Sequence, residues 1–309
     1  MVKKSKYLVI SLIFVLLIAP YVTVGAQDDD VTSSSASAFA FGTDAKSLAM
    51  GGAFVAVADN YSATYWNPAG LNQFSGVQLG GMNLRPHGVS GLNFSYGSGA
   101  VTISNFALGA SFGQLGADLE DQLGYSDAGL SDYSETMFSG TLGYGIDFVN
   151  FGATVKGYQV QDGMGLGFDL GTLMTFDGIS IGVAATDVGG VTIESEDSVV
   201  ESTYRLGLAA KLLGRATAAA EVDLVGSDPL IKVGLEIVPI DQFALRAGVQ
   251  VPPGRDPGFT IGAGVNLAGL GVDIAWLQNN TEFAGYDGSG DTLVLSAGFQ
   301  FGAFGESAE

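Results

Sequence analysis

The side chains able to do chemistry are few, and their placement excludes most of it. His87 is the only histidine, set in a short connection after Arg85-Pro86, and there is no cysteine. A lone loop imidazole is far more often a solvated side chain than a base, and without a second histidine or a thiol there is no nucleophile–base arrangement to assemble. Glu221 and Asp223 stand two apart, which on a strand puts both carboxylates on one face. Acid–base catalysis would need that, but so would a pair of lumenal charges. Gly163, Gly165 and Gly167 make a glycine run with no helix after it, so a nucleotide-binding reading lacks its required context. Acids gather at Asp118, Glu120, Asp121, Asp127, Asp132 and Glu135, and again at Glu194, Glu196, Asp197 and Glu201. Oxygen-rich clusters can hold calcium, yet neither stretch has an ordered Asp-x-Asp-x-Asp-Gly spacing. No enzyme, metal centre or cofactor is expected.

The remaining charges follow a pattern. In Tyr204–Leu212 the even positions are Tyr, Leu, Leu, Ala and Leu, while the odd ones are Arg205, Gly207, Ala209 and Lys211. Arg215–Val225, Ile231–Ile237, Phe243–Val251 and Leu293–Phe301 repeat the scheme. Segments about ten residues long with one apolar and one small or polar face fit a membrane barrel, apolar out and polar in. A soluble sandwich would put its charges on the solvent face and its larger residues inside. The alternation sends Lys156, Arg205, Lys211, Arg215, Lys232 and Arg246 inward, together with Asp147, Asp169, Glu221, Asp223, Glu236 and Asp273. The two signs balance, so these residues can pair across strands and with whatever fills the lumen.

The elements that carry them are segmented by turn residues. Fourteen strands are expected: 77–84, 88–97, 101–115, 137–148, 150–160, 165–176, 179–187, 203–213, 215–225, 230–238, 242–251, 259–268, 270–278 and 292–302. After even strands the connections are short: Ser98-Gly99-Ala100, Val149, Asp177-Gly178, Gly214, Pro239-Ile240-Asp241 and Gly269. Every long loop, 116–136, 188–202 and 279–291, follows an odd strand. Short turns on one side and long loops on the other are the habit of outer-membrane barrels. The fold class is therefore all-β: a transmembrane antiparallel up-and-down β-barrel of about 14 strands, with a small N-terminal hatch inside the lumen.

Composition agrees. Glycine accounts for 47 of 309 residues, about twice the usual share and without a collagen period. Net charge is −20, and residues 1–26 contribute only Lys3, Lys4 and Lys6, so the chain without them carries −23. Such a surface repels nucleic acid. Lys3-Lys4-Ser5-Lys6, the apolar Tyr7–Val22 and the small Val24-Gly25-Ala26 form a cleavable signal peptide over 1–26. Residues 27–76 then make a polar tail and a plug, 77–302 the barrel, and 303–309 a C-terminal tail. Export and barrel pattern together place the chain in the outer membrane of a Gram-negative-type bacterium, with lipid around it and barrel-assembly machinery as a partner in biogenesis.

The plug is the stretch Met50–Leu71, MGGAFVAVADNYSATYWNPAGL, dense in small residues. Phe54, Val55 and Val57 are its bulky groups in the first half. Asp59-Asn60-Tyr61-Ser62 reads as a turn and cap, and Ala63–Trp66 as one helical turn stopped before Pro68. This stretch resembles the N-terminal signature of the FadL-type outer-membrane channels for hydrophobic molecules and of the related PorV/PorQ-type proteins of type IX secretion. The resemblance implies a hatch inside a 14-stranded barrel, carried here by Gly51, Gly52, Asp59, Asn67, Pro68, Ala69 and Gly70. It implies uptake of apolar small molecules such as long-chain fatty acids, with lateral release near the third strand, where Ser104-Asn105 interrupts the alternation as a kink or bulge would. Phe54, Val55, Val57, Leu119 and Leu123, with Leu115, Tyr125 and Leu130, are the candidate ligand contacts. The PorV-type alternative is a barrel that docks secreted protein cargo or secretion machinery and transports no solute.

Overall fold

The computed structural model describes residues 42–85, 92–117, 133–160, 163–193, 199–225, 228–253, 256–278 and 291–302. Fourteen strands close into an antiparallel barrel: β1 (Gly76–Leu84), β2 (Leu92–Ile103), β3 (Phe106–Ala117), β4 (Tyr133–Ile146), β5 (Val149–Val160), β6 (Gly163–Phe176), β7 (Ile179–Thr186), β10 (Thr203–Leu212), β11 (Ala216–Val225), β12 (Asp228–Ile240), β13 (Phe243–Val251), β14 (Gly258–Leu267), β15 (Leu270–Leu277) and β16 (Thr292–Phe301). A two-stranded ribbon, β8 (Val191–Thr192) and β9 (Val199–Val200), interrupts the path from β7 to β10. Each barrel strand pairs with the next barrel strand in sequence, and β1 pairs with β16 to close the ring, so no barrel strand has an unpaired edge.

Several turns differ from expectation, two of them with consequences for the lumen; β12, for instance, runs on through Pro239 to Ile240. β2 runs on through Gly97 and Gly99 to Ile103, and the turn into β3 is Ser104-Asn105, with Ile103 opposite Phe106. Ser104 sits at φ 55, and Asn105 ties this turn to its neighbour: its side-chain NH2 donates to the Gly145 carbonyl at 2.8 Å, and the Gly145 N–H donates to the Asn105 carbonyl at 2.8 Å. Ser104-Asn105 is therefore no kink within a strand. β3 keeps an unbroken register with β2 and with β4 along its whole length, so the expected third-strand gap has no structural counterpart. A register shift falls instead between β12 and β13, at Ile237 and Ile240. Likewise Val149 opens β5, and the β4–β5 turn is Asp147-Phe148 with Asp147 at φ 54, which removes Asp147 from the lumen.

The outer face is apolar. Leu206, Leu208, Ile231, Val233, Leu245, Leu293 and Leu295 all expose about half their surface, in the period-two order expected. Near the short turns lie aromatic pairs: Phe106 with Tyr144 (4.9 Å between ring centroids) and Phe299 with Phe301 (5.5 Å). A continuous apolar belt of this kind is stable only against hydrocarbon. Among the described residues no helix is long and apolar enough to cross a membrane; the strands cross it.

The inner face explains the glycine content. At one level of the barrel, strand after strand turns a glycine inward: Gly143, Gly152, Gly171, Gly182, Gly207, Gly234 and Gly248, many of them directly opposite one another. They leave room for the plug backbone. A Cβ on Gly152 would stand 2.2 Å from the Pro68 carbonyl carbon, one on Gly182 2.2 Å from the Val55 oxygen, and one on Gly248 2.1 Å from the Gly51 nitrogen. Such contacts are far inside van der Waals distance.

Candidate functional site: the plug and the lumen

The plug builds itself from short capped pieces. Helix α1 (Ala45–Ala49) begins at Asp44, whose carboxylate accepts from the Lys46 N–H. Gly51 and Gly52 follow at φ 68 and 73, a left-handed pair that turns the chain across the lumen. Asn60 accepts from the Ser62 N–H at 3.0 Å, and α2 (Ala63–Trp66) makes a single turn. Asn67 is extended, and a 3₁₀ helix, Pro68–Gln73, runs on to β1.

Asn67 does the joining. Its side-chain NH2 donates to the Val55 carbonyl at 2.8 Å and to Thr172 of β6 at 3.2 Å, and its oxygen accepts from the Ala69 N–H at 3.1 Å. One amide thus binds two plug segments to the wall. Pro68 cannot donate, which costs nothing at the first position of the helix. Around the rest of the rim, wall side chains take up free plug carbonyls: Gln250 to Gly51 at 2.9 Å, Thr260 to Ala49 at 2.9 Å and Thr102 to Leu71 at 2.7 Å. The plug's short pieces leave backbone groups open, and the barrel satisfies them.

The inward charges sort into three groups. In the first, Glu221 accepts from the Phe54 and Val55 N–H groups, both at 2.7 Å, while Asp223 accepts from Lys232 at 2.6 Å and Arg205 at 3.3 Å. Arg205 lies over the rings of Tyr65 and Trp66, and Lys232 over Trp66. In the second, Lys156 bridges Asp169 (2.8 Å) and Asp187 (3.0 Å), and the Tyr158 hydroxyl donates to Asp187 at 2.8 Å. In the third, Arg246 joins Glu236 (2.7 Å) and Asp273 (2.6 Å), and Lys46 of the plug binds Asp59 at 2.8 Å within 3.9 Å of Glu236. Burial works against the Lys46 ammonium, but Asp59 and then Glu236 outweigh it and hold its pKa above the ordinary lysine range. Burial, then the charge of Asp273, raises the Asp44 carboxyl.

Besides Asp147, two of the expected lumenal charges are exposed. Arg215 lies just past the β10–β11 turn and is exposed, paired with Asp241 at 3.2 Å and donating to the Val238 and Pro239 carbonyls. Its alternation placed it inward, but the strand begins only at Ala216. Lys211 shares the inward face of β10 with Arg205 but sits near the rim and is exposed. Phe54 and Val55, expected to touch ligand, are fully buried, and Val57 nearly so. Phe54 packs edge-on to Trp66, and Val55 fills the space left by Gly182 and Gly207. They are the body of the plug. Leu119, Leu123, Tyr125, Leu130, His87, most of the acidic loop residues and the signal segment lie outside the described residues. Lys46, Asp187 and Tyr158 escaped the sequence reading; Lys46 lies outside the strands, so alternation could not point to it.

The plug divides the lumen into two unlike halves. On the long-loop side one sector of inward residues is apolar and buried: Met82, Leu84, Phe94, Leu115, Met137 and Val294, with Val191 and Ile193 of the β7–β10 connection folded onto Gly165, while the Lys156–Asp169–Asp187 and Arg205–Asp223–Lys232 groups occupy the rest of that side. On the short-turn side lies a cavity of about 330 Å³ lined by Lys46, Asp59, Glu236, Arg246 and Asp273 and by Gln78, Asn266 and Gln300.

No protein-family model matches the chain, and no curated protein matches it in sequence. Solved structures do match in fold. The deltaS2 mutant of the monoaromatic hydrocarbon channel TodX superposes with a TM-score of 0.62 at 14% identity, over 84% of this chain and 98% of that one. The Pseudomonas putida toluene transporter TodX itself gives 0.59 at 14% identity, again over 84% and 98%. The chain thus has the fold of the FadL-type channels that the Met50–Leu71 stretch resembles.

Proposed function

We propose that this chain is an outer-membrane channel for uptake of apolar small molecules, exported by residues 1–26. The observation that carries this is the apolar sector of the lumen on the long-loop side, in a plugged barrel that shares the fold of TodX. Inward-facing Met82, Leu84, Phe94, Leu115 and Met137 form one buried apolar cluster with the plug, a lining that a water-filled bore would not have. They suit a solute that leaves water as it enters, with burial worth about 25 cal/mol per Å² of apolar surface. TodX, whose fold the chain shares, is a toluene transporter; long-chain fatty acids and monoaromatic hydrocarbons are the solute classes to try first. The inward charges act as fasteners of strands and plug, and no catalytic step is assigned to them.

The test is retention of solute. Native mass spectrometry of the detergent-purified barrel is expected to show one apolar molecule per chain after exposure to toluene or a fatty acid. Phe94→Asp is expected to abolish that retention while the barrel keeps its resistance to unfolding in SDS. A wild-type barrel that retains neither solute, and copurifies instead with an exported protein, overturns uptake in favour of docking.

A further inference from the structure

The two halves of the lumen come closest along the seam that closes the barrel. On β1 the inward positions run Gln78, Gly80, Met82 and Leu84; on β16 they run Gln300, Gly298, Ser296 and Val294. Gln78 and Gln300 line the polar cavity, and Met82, Leu84 and Val294 belong to the apolar sector. Between them stand Gly80 and Gly298, directly opposite each other, so the wall has no side chain at this level. One ring fills the gap: a Cβ on Gly80 would meet the Tyr61 ring at 2.3 Å, and one on Gly298 would meet it at 2.9 Å.

The Tyr61 ring is held differently from the rest of the plug. No ion pair fixes it; its hydroxyl makes two long contacts, to Asp44 and to the Gly81 carbonyl, both at 3.4 Å, and shares a side-chain hydrogen bond with Ser296. Behind it Asp44 accepts from Ser296 at 2.9 Å and from Asn60, and its N–H meets the Met82 sulfur at 3.0 Å. At Gly152, Gly182, Gly234 and Gly248 the plug meets the wall with its backbone, which cannot withdraw without unseating the plug. A side chain can withdraw by rotation.

We infer that Tyr61 is the gate of a longitudinal passage along the β1–β16 seam, joining the apolar sector of the long-loop side to the polar cavity on the short-turn side. Rotation of the ring uncovers a glycine-floored groove from Met82 to Gln78, and the cavity is its exit vestibule. The solute then leaves through the barrel without a gap in its wall, in keeping with the unbroken register of β3. This rests on the uptake reading for its solute, but the passage itself can be tested with ions.

In planar bilayers the wild-type barrel is expected to be closed, and Tyr61→Ala to give discrete single-channel current steps. Adding Gly80→Leu to Tyr61→Ala refills the groove and is expected to close it again. The chain has no cysteine, so Met82→Cys supplies a single label site. A charged thiol reagent applied from the short-turn side is expected to reach it in Tyr61→Ala and not in the wild-type background. A Tyr61→Ala barrel that resists SDS unfolding yet stays closed overturns the gate. So does one that conducts while Met82→Cys stays unlabelled and Gly80→Leu fails to close it, because the leak then runs elsewhere. Conduction that behaves as expected in a barrel retaining no apolar solute would remove the uptake reading and leave the passage.

Discussion

Across β11 and β12 the plug is held by charge: Glu221 takes two plug amides, and Asp223, Lys232 and Arg205 lock the strands behind it, all almost fully buried. Across β1 and β16 it is held by shape: a tyrosine ring lies on two bare glycines, with no ion pair and a hydroxyl that reaches Asp44, Ser296 and the Gly81 carbonyl. The difference separates an anchor from a removable wall. A buried carboxylate bonded to backbone amides cannot let go without leaving three polar groups dry, whereas a ring leaving a glycine floor exposes little that must be satisfied. One plug can therefore be fixed on one side and yield on the other.

The anchor should show the largest effect when broken. Asp223→Ala leaves the Lys232 and Arg205 charges buried opposite an empty site, and removing one partner of a buried pair costs about 3–5 kcal/mol. A marked fall in the urea midpoint of the refolded barrel is expected. An unchanged midpoint would mean that water or relaxation compensates the cations, and the contrast between the two sides would collapse.

Next come the glycines on which the plug rests. Gly152→Val drives a side chain into the Pro68 backbone, and overpacking of this sort costs about 1–3 kcal/mol. Protease cleavage within the plug is expected to accelerate. Gly140 is the control: a Cβ there meets nothing within 4 Å, so Gly140→Val is expected to be neutral or slightly stabilising in a strand. Asn67→Ala should fall between anchor and floor. It removes three side-chain hydrogen bonds at about 1 kcal/mol net each, and hydrogen exchange at the Ala69 amide should quicken while strand amides stay protected.

The same contrast explains what could be read from sequence. The strands from β10 to β13 were legible because their alternation runs through charges, and the charges landed opposite one another: Arg205 with Asp223, Glu221 with Lys232, Glu236 with Arg246. The β2–β3 turn was misplaced because glycine has two uses in this chain. At Gly178 and Gly214 it makes a turn at positive φ; at Gly97 and Gly99 it continues a strand, and at Gly80 it floors the plug. The partner that decides the use can be far away in sequence, as Pro68 is from Gly152 or Asn67 from Gly171, and no local pattern carries it. Phe54 was misassigned for a related reason. A bulky residue among small ones looks like a ligand contact until Trp66 is found against it. The Asn67-Pro68-Ala69 triplet was legible as a motif, but its two-sided bonding required the wall of β6.

The smallest effect is expected at Arg215, and it sharpens the comparison by removing charge as such from the explanation. Its pair with Asp241 has a geometry close to that of Arg205 with Asp223, 3.2 Å against 3.3 Å, yet the side chains are 56% and 82% exposed where the buried pair shows 9% and 2%. Water screens the exposed pair in both the folded and the unfolded chain, so Arg215→Ala should shift stability by less than about 0.5 kcal/mol. A urea midpoint indistinguishable from wild type is expected, and 1 M salt should leave it so. A loss comparable to that of Asp223→Ala would show that the two backbone carbonyls at Val238 and Pro239, and not the ion pair, make Arg215 a clamp on the irregular end of β12. Anchoring would then extend from the plug to the turn that rims its polar cavity.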